Sequence, residues 1–333
     1  MKRLLLSVAV LAAFASCSKN EVNEMPQSNQ IGFSSLNDRV TSKAANDLTG
    51  VDAVAFKVFA ANGAGATAWY INDYVTGGAT DATAPANGPH YWPTDKSAMA
   101  FYAYAPYFSD ATNNVTEGTG MDATTLSYVV PADAQEDFTV ATPVTCAGGE
   151  EAYPESVDFT FKHMLAKVTV QVKLDVDYGK NNYISTSFTD AADAPFTATF
   201  TALKNALSVD AQDAVAALPA ETTTNASTAL AYADKQMYYI APQAFKDCKL
   251  QINGITIRNS NTHKQMFTGD LDVITLTGTE LQSTGETFVA GNHYILTVTV
   301  SADATDLIEI KCTADNGEWA DSTDVPVTQT VVD

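Results

Sequence analysis

Apolar and polar residues alternate with a period of two along most of this chain. Val168, Val170, Val172 and Leu174 fall on one side of residues 167–174, and Lys167, Thr169, Gln171 and Lys173 fall on the other. That spacing predicts a half-buried antiparallel strand. Val54, Phe56 and Val58 alternate in the same way, as do Phe196, Ala198 and Phe200, and later Tyr294, Leu296, Val298 and Val300. Leu250 with Ile252 and Ile255 with Ile257 flank Asn253–Gly254, a dipeptide that favours the tight turn of a β-hairpin. Turn-forming clusters at 62–65, 77–78, 85–89, 118–120 and 148–154 separate the runs. Residues 211–218 carry the clearest helical spacing and predict one short helix. Many strands without a strand–helix–strand rhythm predict an all-β chain of antiparallel β-sandwiches. A length of 333 residues suits two sandwiches in tandem, with a boundary near 163/164.

The first residues set the compartment. Lys2 and Arg3 precede an apolar run from Leu4 to Phe14, and Ala15–Ser16–Cys17 follows. A basic start, a short apolar stretch and small residues before the cut form a secretory signal, too short to span a bilayer. The cysteine after the small residues is similar to a bacterial lipobox. It implies cleavage after residue 16 and lipidation of Cys17. The polar residues 18–30 read as a tether.

Charge and composition narrow the function. Asp and Glu total 39 against 18 Lys and Arg, a formal charge of −21. Such a chain repels phosphate backbones, so nucleic acid is excluded as a partner. With 46% hydrophobic residues the chain can bury a large core and is not a disordered acidic segment. Beyond Cys17 the cysteines are Cys146, Cys248 and Cys312, an odd number without a C-x-x-C spacing. They predict thiols packed in the core.

Candidate chemistry is sparse. Gly63-x-Gly65-x-x-Ala68 has the letters of a dinucleotide fingerprint, but Trp69-Tyr70-Ile71 resumes a strand where a helix is needed, so a hairpin loop is expected. Asp175-x-Asp177-x-Gly179 opens like a calcium loop and lacks the later ligands. His90, His163, His263 and His293 are far apart and predict no metal centre. No spacing singles out a catalytic pair or nucleophile. The expectation is a protein that is not an enzyme and needs no cofactor.

A resemblance then supplies direction. Tyr91-Trp92-Pro93 and the run Met99-Ala100-Phe101-Tyr102-Ala103-Tyr104-Ala105-Pro106-Tyr107 resemble a block of the Bacteroidales fimbrillins. Phe159-x-Phe161-Lys162-His163-Met164-Leu165-Ala166-Lys167-Val168 resembles a second block, and Tyr239-Ile240-Ala241-Pro242-Gln243 and Gly291-Asn292-His293-Tyr294 resemble later ones. Ile31-x-Phe33 followed by Arg39 resembles the N-terminal segment. The resemblance implies two transthyretin-like β-sandwich domains in tandem, at 40–163 and 164–333, behind a signal peptide at 1–16 and a lipidated propeptide with the first strand at 17–39. It implies a type V pilus subunit exported as an outer-membrane lipoprotein. Its partners would be the lipoprotein export machinery, an Arg-specific protease, other pilin subunits and a host or bacterial surface ligand.

The implied mechanism is donor-strand exchange, in which a protease removes the first strand and a neighbour's strand takes its place. After Cys17 the chain holds only two arginines, Arg39 and Arg258. Arg39 lies in a polar stretch and marks a cut before Val40. Arg258 follows a strand-like run and is expected to be protected there. Val325, Val327 and Val331 fall on one face of a candidate donor strand, interrupted by Gln329, with Pro326 suited to an edge. The alternative is a monomeric surface lipoprotein that binds glycans or a host ligand through Trp69, Trp92 or Trp319.

Overall fold

The structure, a computed structural model, describes residues 29–36, 55–63, 66–76, 84–106, 115–118, 125–130, 137–149, 153–154, 156–185, 196–212, 215–216, 223–224, 230–232, 235–245, 248–276, 287–302 and 308–318. Among these residues nearly all regular structure is β. The exception is a single helical turn, Val176–Gly179, capped by the Asp175 carboxylate, which accepts from the Asp177 amide at 2.9 Å. The calcium-like letters at 175–179 are that turn.

The largest sheet has eight strands. Along it lie Gly32–Leu36, Ser156–His163, Thr139–Ala141, Met99–Ala105, Phe56–Asn62, Ile71–Thr76 and Ala84–Pro85, and Val144–Cys146 also pairs with Met99–Ala105. Its period-two pattern is obeyed on both faces. Phe56, Val58 and Ala60 enter one core with Phe101, Ala103, Val157 and Phe159, while Phe59, Tyr104 and Val140 enter another. Phe56–Asn62 and Ile71–Thr76 pair antiparallel, so the Gly63–Ala68 letters belong to a hairpin connection, with Gly63 at φ +78°. Met99–Ala105 stops where Pro106 follows through a cis peptide bond.

A five-stranded sheet runs Leu230–Tyr232, Lys235–Ile240, Ala166–Leu174, Asn292–Ala302, Ile308–Glu318. Its apolar face (Val168, Val170, Tyr238, Tyr294, Leu296, Val298) packs against strands Thr197–Thr201, Lys249–Asn253 and Ile255–Asn259. Two buried glutamines join these layers. The Gln236 side chain accepts from Ala198 N at 2.7 Å and donates to the Phe196 carbonyl, and Gln243 takes both backbone groups of Lys204. Each amide does for an unpaired backbone what a neighbouring strand would do.

Three expectations need correction. The described residues of 211–218 are not helical: Ala211 and Gln212 form a turn and Val215–Ala216 is a strand paired with Ala206–Asp210. β-pairing outcompetes a propensity that was weak to begin with. Asn253–Gly254 does not close a hairpin. Lys249–Asn253 pairs with Thr197–Thr201, and Ile255–Asn259 pairs with Asn182–Ile184 and Gln265–Gly269. Gly254, at φ +70°, turns the chain from one sheet to another. Ala166–Leu174 is neither half-buried throughout nor purely antiparallel. Lys167 and Thr169 are buried along with the valines, and Asn292–Ala302 runs parallel beside it. Beyond these corrections, Ala206–Asp210 pairs with Thr125–Val129. That ladder crosses the 163/164 position, and a shared core joins Tyr128 and Phe138 with Leu207, Val209, Met237 and Tyr239. No helix among the described residues is long and apolar enough to cross a membrane.

Candidate functional site: a groove filled by the first strand

Gly32–Leu36 sits at one edge of the eight-stranded sheet, parallel to the 156–160 part of Ser156–His163, with Phe33 opposite Val157 and Ser35 opposite Phe159. Sequence explains why it stays there. Ile31 and Phe33 are two residues apart and so share a face. Both are buried, at 1% and 3% exposure. The Phe33 ring stacks on Phe159, with centroids 6.3 Å apart and planes at 12°, and meets Phe101 edge-on at 6.3 Å. Phe101 in turn takes the edge of Trp92 at 5.6 Å, and Trp92 stacks on Tyr153 at 4.3 Å.

A second backbone edge holds the residues just before the strand. The Ile31 amide donates to the His90 carbonyl at 2.8 Å and the Trp92 amide donates to the Asn29 carbonyl at 2.8 Å. Between them Gln30 and Tyr91 form an antiparallel bridge, and the Asn29 side chain donates to the Trp92 carbonyl at 3.0 Å. Residues 29–36 are thus bound along two edges, antiparallel to 90–92 and parallel to 156–160.

The 90–92 edge is itself fixed by a buried acid. Asp73 on Ile71–Thr76 is 2% exposed. Its carboxylate accepts from Tyr74 N at 2.8 Å, Asn87 N at 3.2 Å, Asn87 Nδ2 at 2.6 Å, and meets His90 Nε2 at 2.9 Å. Burial pushes the carboxyl pKa up, and the hydrogen bonds from His90, Tyr74 and Asn87 together outweigh it, so it lies below the ordinary value. The charged acid closes the 85–90 turn and sets where the His90 carbonyl points.

The fimbrillin-like family profile matches residues 39–316. The chain belongs to the fimbrillin-like family. No curated protein matches it. A solved protein of Bacteroides uniformis assigned to cell adhesion is similar at 21% identity, with 87% of this chain and 99% of that one covered and a TM-score of 0.55. Another cell-adhesion assignment, from Bacteroides ovatus, is similar at 15% identity, with coverage of 88% and 98% and a TM-score of 0.51. These likenesses concern the fold.

In this fimbrillin-like chain the groove gathers the blocks that carried the resemblance: Ile31 and Phe33, Trp92, Phe101, and Phe159 with Phe161 enter one core. Cys17, Arg39, Val40, Val325, Val327 and Val331 lie outside the described residues, as does Trp319. Arg258 is in the middle of a sheet, paired on both sides, and its Nη1 donates to the His263 carbonyl at 3.1 Å. Trp92 is buried at 4%, and Trp69, partly buried, packs on Phe59 and Tyr102. The histidines are dispersed: His90 on Asp73, His163 on Asp137, His293 near Thr169 and His263 near Tyr183. Among the described residues no group of three or more His, Cys, Asp or Glu side chains is placed to hold a metal. Cys248 is buried, with its Sγ 3.8 Å from the Ala202 carbonyl, and Cys146 is partly buried. Sequence reasoning missed Asp73, Asn87 and the 90–92 edge. No spacing links Asp73 to His90, and a backbone edge has no side-chain signature.

Proposed function

We propose that this chain is a structural subunit of a type V pilus, exported as an outer-membrane lipoprotein on Cys17, cut between Arg39 and Val40, and joined to its neighbours by donor-strand exchange. The observation that carries this reading is the edge strand Gly32–Leu36, three residues before Arg39, whose neighbour Ile31 and own Phe33 complete a core. Gly32–Leu36 has one neighbour in its sheet, so its departure breaks that ladder and the short 29–31 contact with 90–92 and leaves the rest of the sheet paired. Its loss uncovers the apolar surface of Val157, Phe159, Phe101 and Trp92, which a replacement strand would cover. Membership of the fimbrillin-like family supports a pilus or adhesin subunit at the cell surface. The protected position of Arg258 leaves Arg39 as the arginine open to an Arg-specific protease. Other pilin subunits are the partners in this reading, and the two tandem domains divide near 163/164, with the Thr125–Val129 and Ala206–Asp210 ladder fastening them together.

The test is Arg39→Ala in cells that export the protein. The expected product is a lipidated monomer with no SDS-resistant ladder on gels. Normal fibres from that variant would overturn the reading.

A further inference from the structure

The groove constrains which strand can replace residues 29–36, and in what register. This inference rests on the subunit reading above and adds to it the alignment of the incoming strand. We propose that segment 323–330 of a second copy of this chain enters the groove with Val325 at the position of Ile31, Val327 at that of Phe33 and Gln329 at that of Ser35.

The resident strand reads apolar-x-apolar-x-polar from Ile31 to Ser35, and the segment from Val325 to Gln329 reads the same. Gln329 interrupts the valines at the register position where the resident strand is also polar. Pro326 falls on Gly32, the first residue of the strand Gly32–Leu36, and an edge strand tolerates proline at its first residue. The Val325 amide would donate to the His90 carbonyl as the Ile31 amide does, and the Thr323 carbonyl would accept from the Trp92 amide in place of Asn29. Asp324 then stands opposite Tyr91, where Gln30 now stands.

The neighbouring registers fail on the same geometry. A shift by one residue turns every valine away from the core. A shift by two in one direction puts Gln329 against Phe159 and Phe101, where a buried amide has no partner ring atom to bond. A shift by two in the other direction puts Thr323 at the Ile31 site and moves Pro326 inside the ladder, opposite Asp158. The two edges therefore act together. The 90–92 backbone, held by Asp73, fixes the start of the strand, and the aromatic pocket fixes its face.

Disulfide trapping reads the register directly. Gln30 and Tyr91 are a non-hydrogen-bonded antiparallel pair, and the Cα separation of about 4.5 Å usual for such a pair suits a disulfide. Tyr91 is 52% exposed, so Tyr91→Cys is tolerated. In a Cys146→Ser background, Tyr91→Cys is combined in turn with Asp324→Cys, Ser322→Cys and Pro326→Cys. Each protein is cut after Arg39, assembled and oxidised, and linked peptides are identified by mass spectrometry. The expected result is a reducible dimer linked 91 to 324 between copies, with loss of that band in the other two. A dominant 322 or 326 link, or a link within one copy, overturns the register while leaving the subunit reading standing. If the chain without added cysteines, cut after Arg39, forms no SDS-resistant ladder, the subunit reading fails and the register fails with it.

Discussion

Replacing Phe33 by alanine separates the precursor from the assembled subunit. In the uncut chain Phe33 is buried between Phe159 and Phe101. Truncating a buried Phe to Ala costs roughly 3–5 kcal/mol, from lost transfer energy and the cavity left behind. The edge position sets a limit on that figure, since a sheet edge collapses more readily than a sheet centre; about 3 kcal/mol is the working value. Against a total stability of order 5–15 kcal/mol that is a large fraction. The assay is denaturant unfolding of the uncut chain, followed by tryptophan fluorescence, because Trp92 touches Phe101 in the same core. The same pair of proteins is then cut after Arg39 and assembled, and the fibres are heated in SDS. Once residues 1–39 are gone, position 33 is gone with them, so wild-type and Phe33→Ala fibres must come apart at the same temperature. A precursor within about 0.5 kcal/mol of wild type, the range of ordinary surface substitutions, would refute the claim that Phe33 fills the groove. Fibres that inherit the defect would refute the claim that the first strand leaves.

Other outcomes follow from the same structure. Val327→Phe should fill the Phe33 pocket better than valine does and slow fibre disassembly by on the order of a hundredfold, given about 0.8 kcal/mol for each of the added buried carbons; time courses in SDS read this directly. Asp73→Ala leaves the Asn87 and Tyr74 amides and His90 without their shared acceptor and should cost about 2–4 kcal/mol in precursor stability by denaturant unfolding. Because the folded-state pKa of Asp73 is held down, its contribution is complete above the ordinary carboxylate range and fades as pH falls through the lowered folded-state value; the acid-unfolding difference between wild type and Asp73→Asn should therefore vanish at the most acidic end. Gly148→Ala brings a Cβ to 2.4 Å from the Lys96 carbonyl oxygen at φ +68°, and thermal melts should show a loss of about 1–3 kcal/mol.

What the sequence made legible, and what it hid, divides along physical lines. Alternation over Phe56–Val58, Phe101–Ala105 and Phe159–Phe161 identifies strands and their inward faces, because a side chain's face depends only on its own position in the strand. Pairing depends on residues far away, so the same alternation could not show that Ala166–Leu174 has a parallel neighbour, or that Asn253–Gly254 joins two sheets. Ala206–Asp210 looks like any edge strand in sequence; its partner Thr125–Val129 lies across the expected domain boundary. Of the candidate site, Ile31 and Phe33 were legible as an apolar pair before an arginine. The 90–92 edge was not, since its bonds are made by backbone groups that every residue carries. Trp92 and Trp69 were read as candidates for sugar stacking in the alternative account, and each turned out to be packed against other rings.

The central claim is that a first strand which completes the core is removed so that another can replace it. N-terminal sequencing of the assembled surface form tests this most directly. The account predicts that the fibre subunit begins at Val40 and contains neither Ile31 nor Phe33. Fibres whose subunits begin at a lipidated Cys17 and keep residues 29–36 would contradict it.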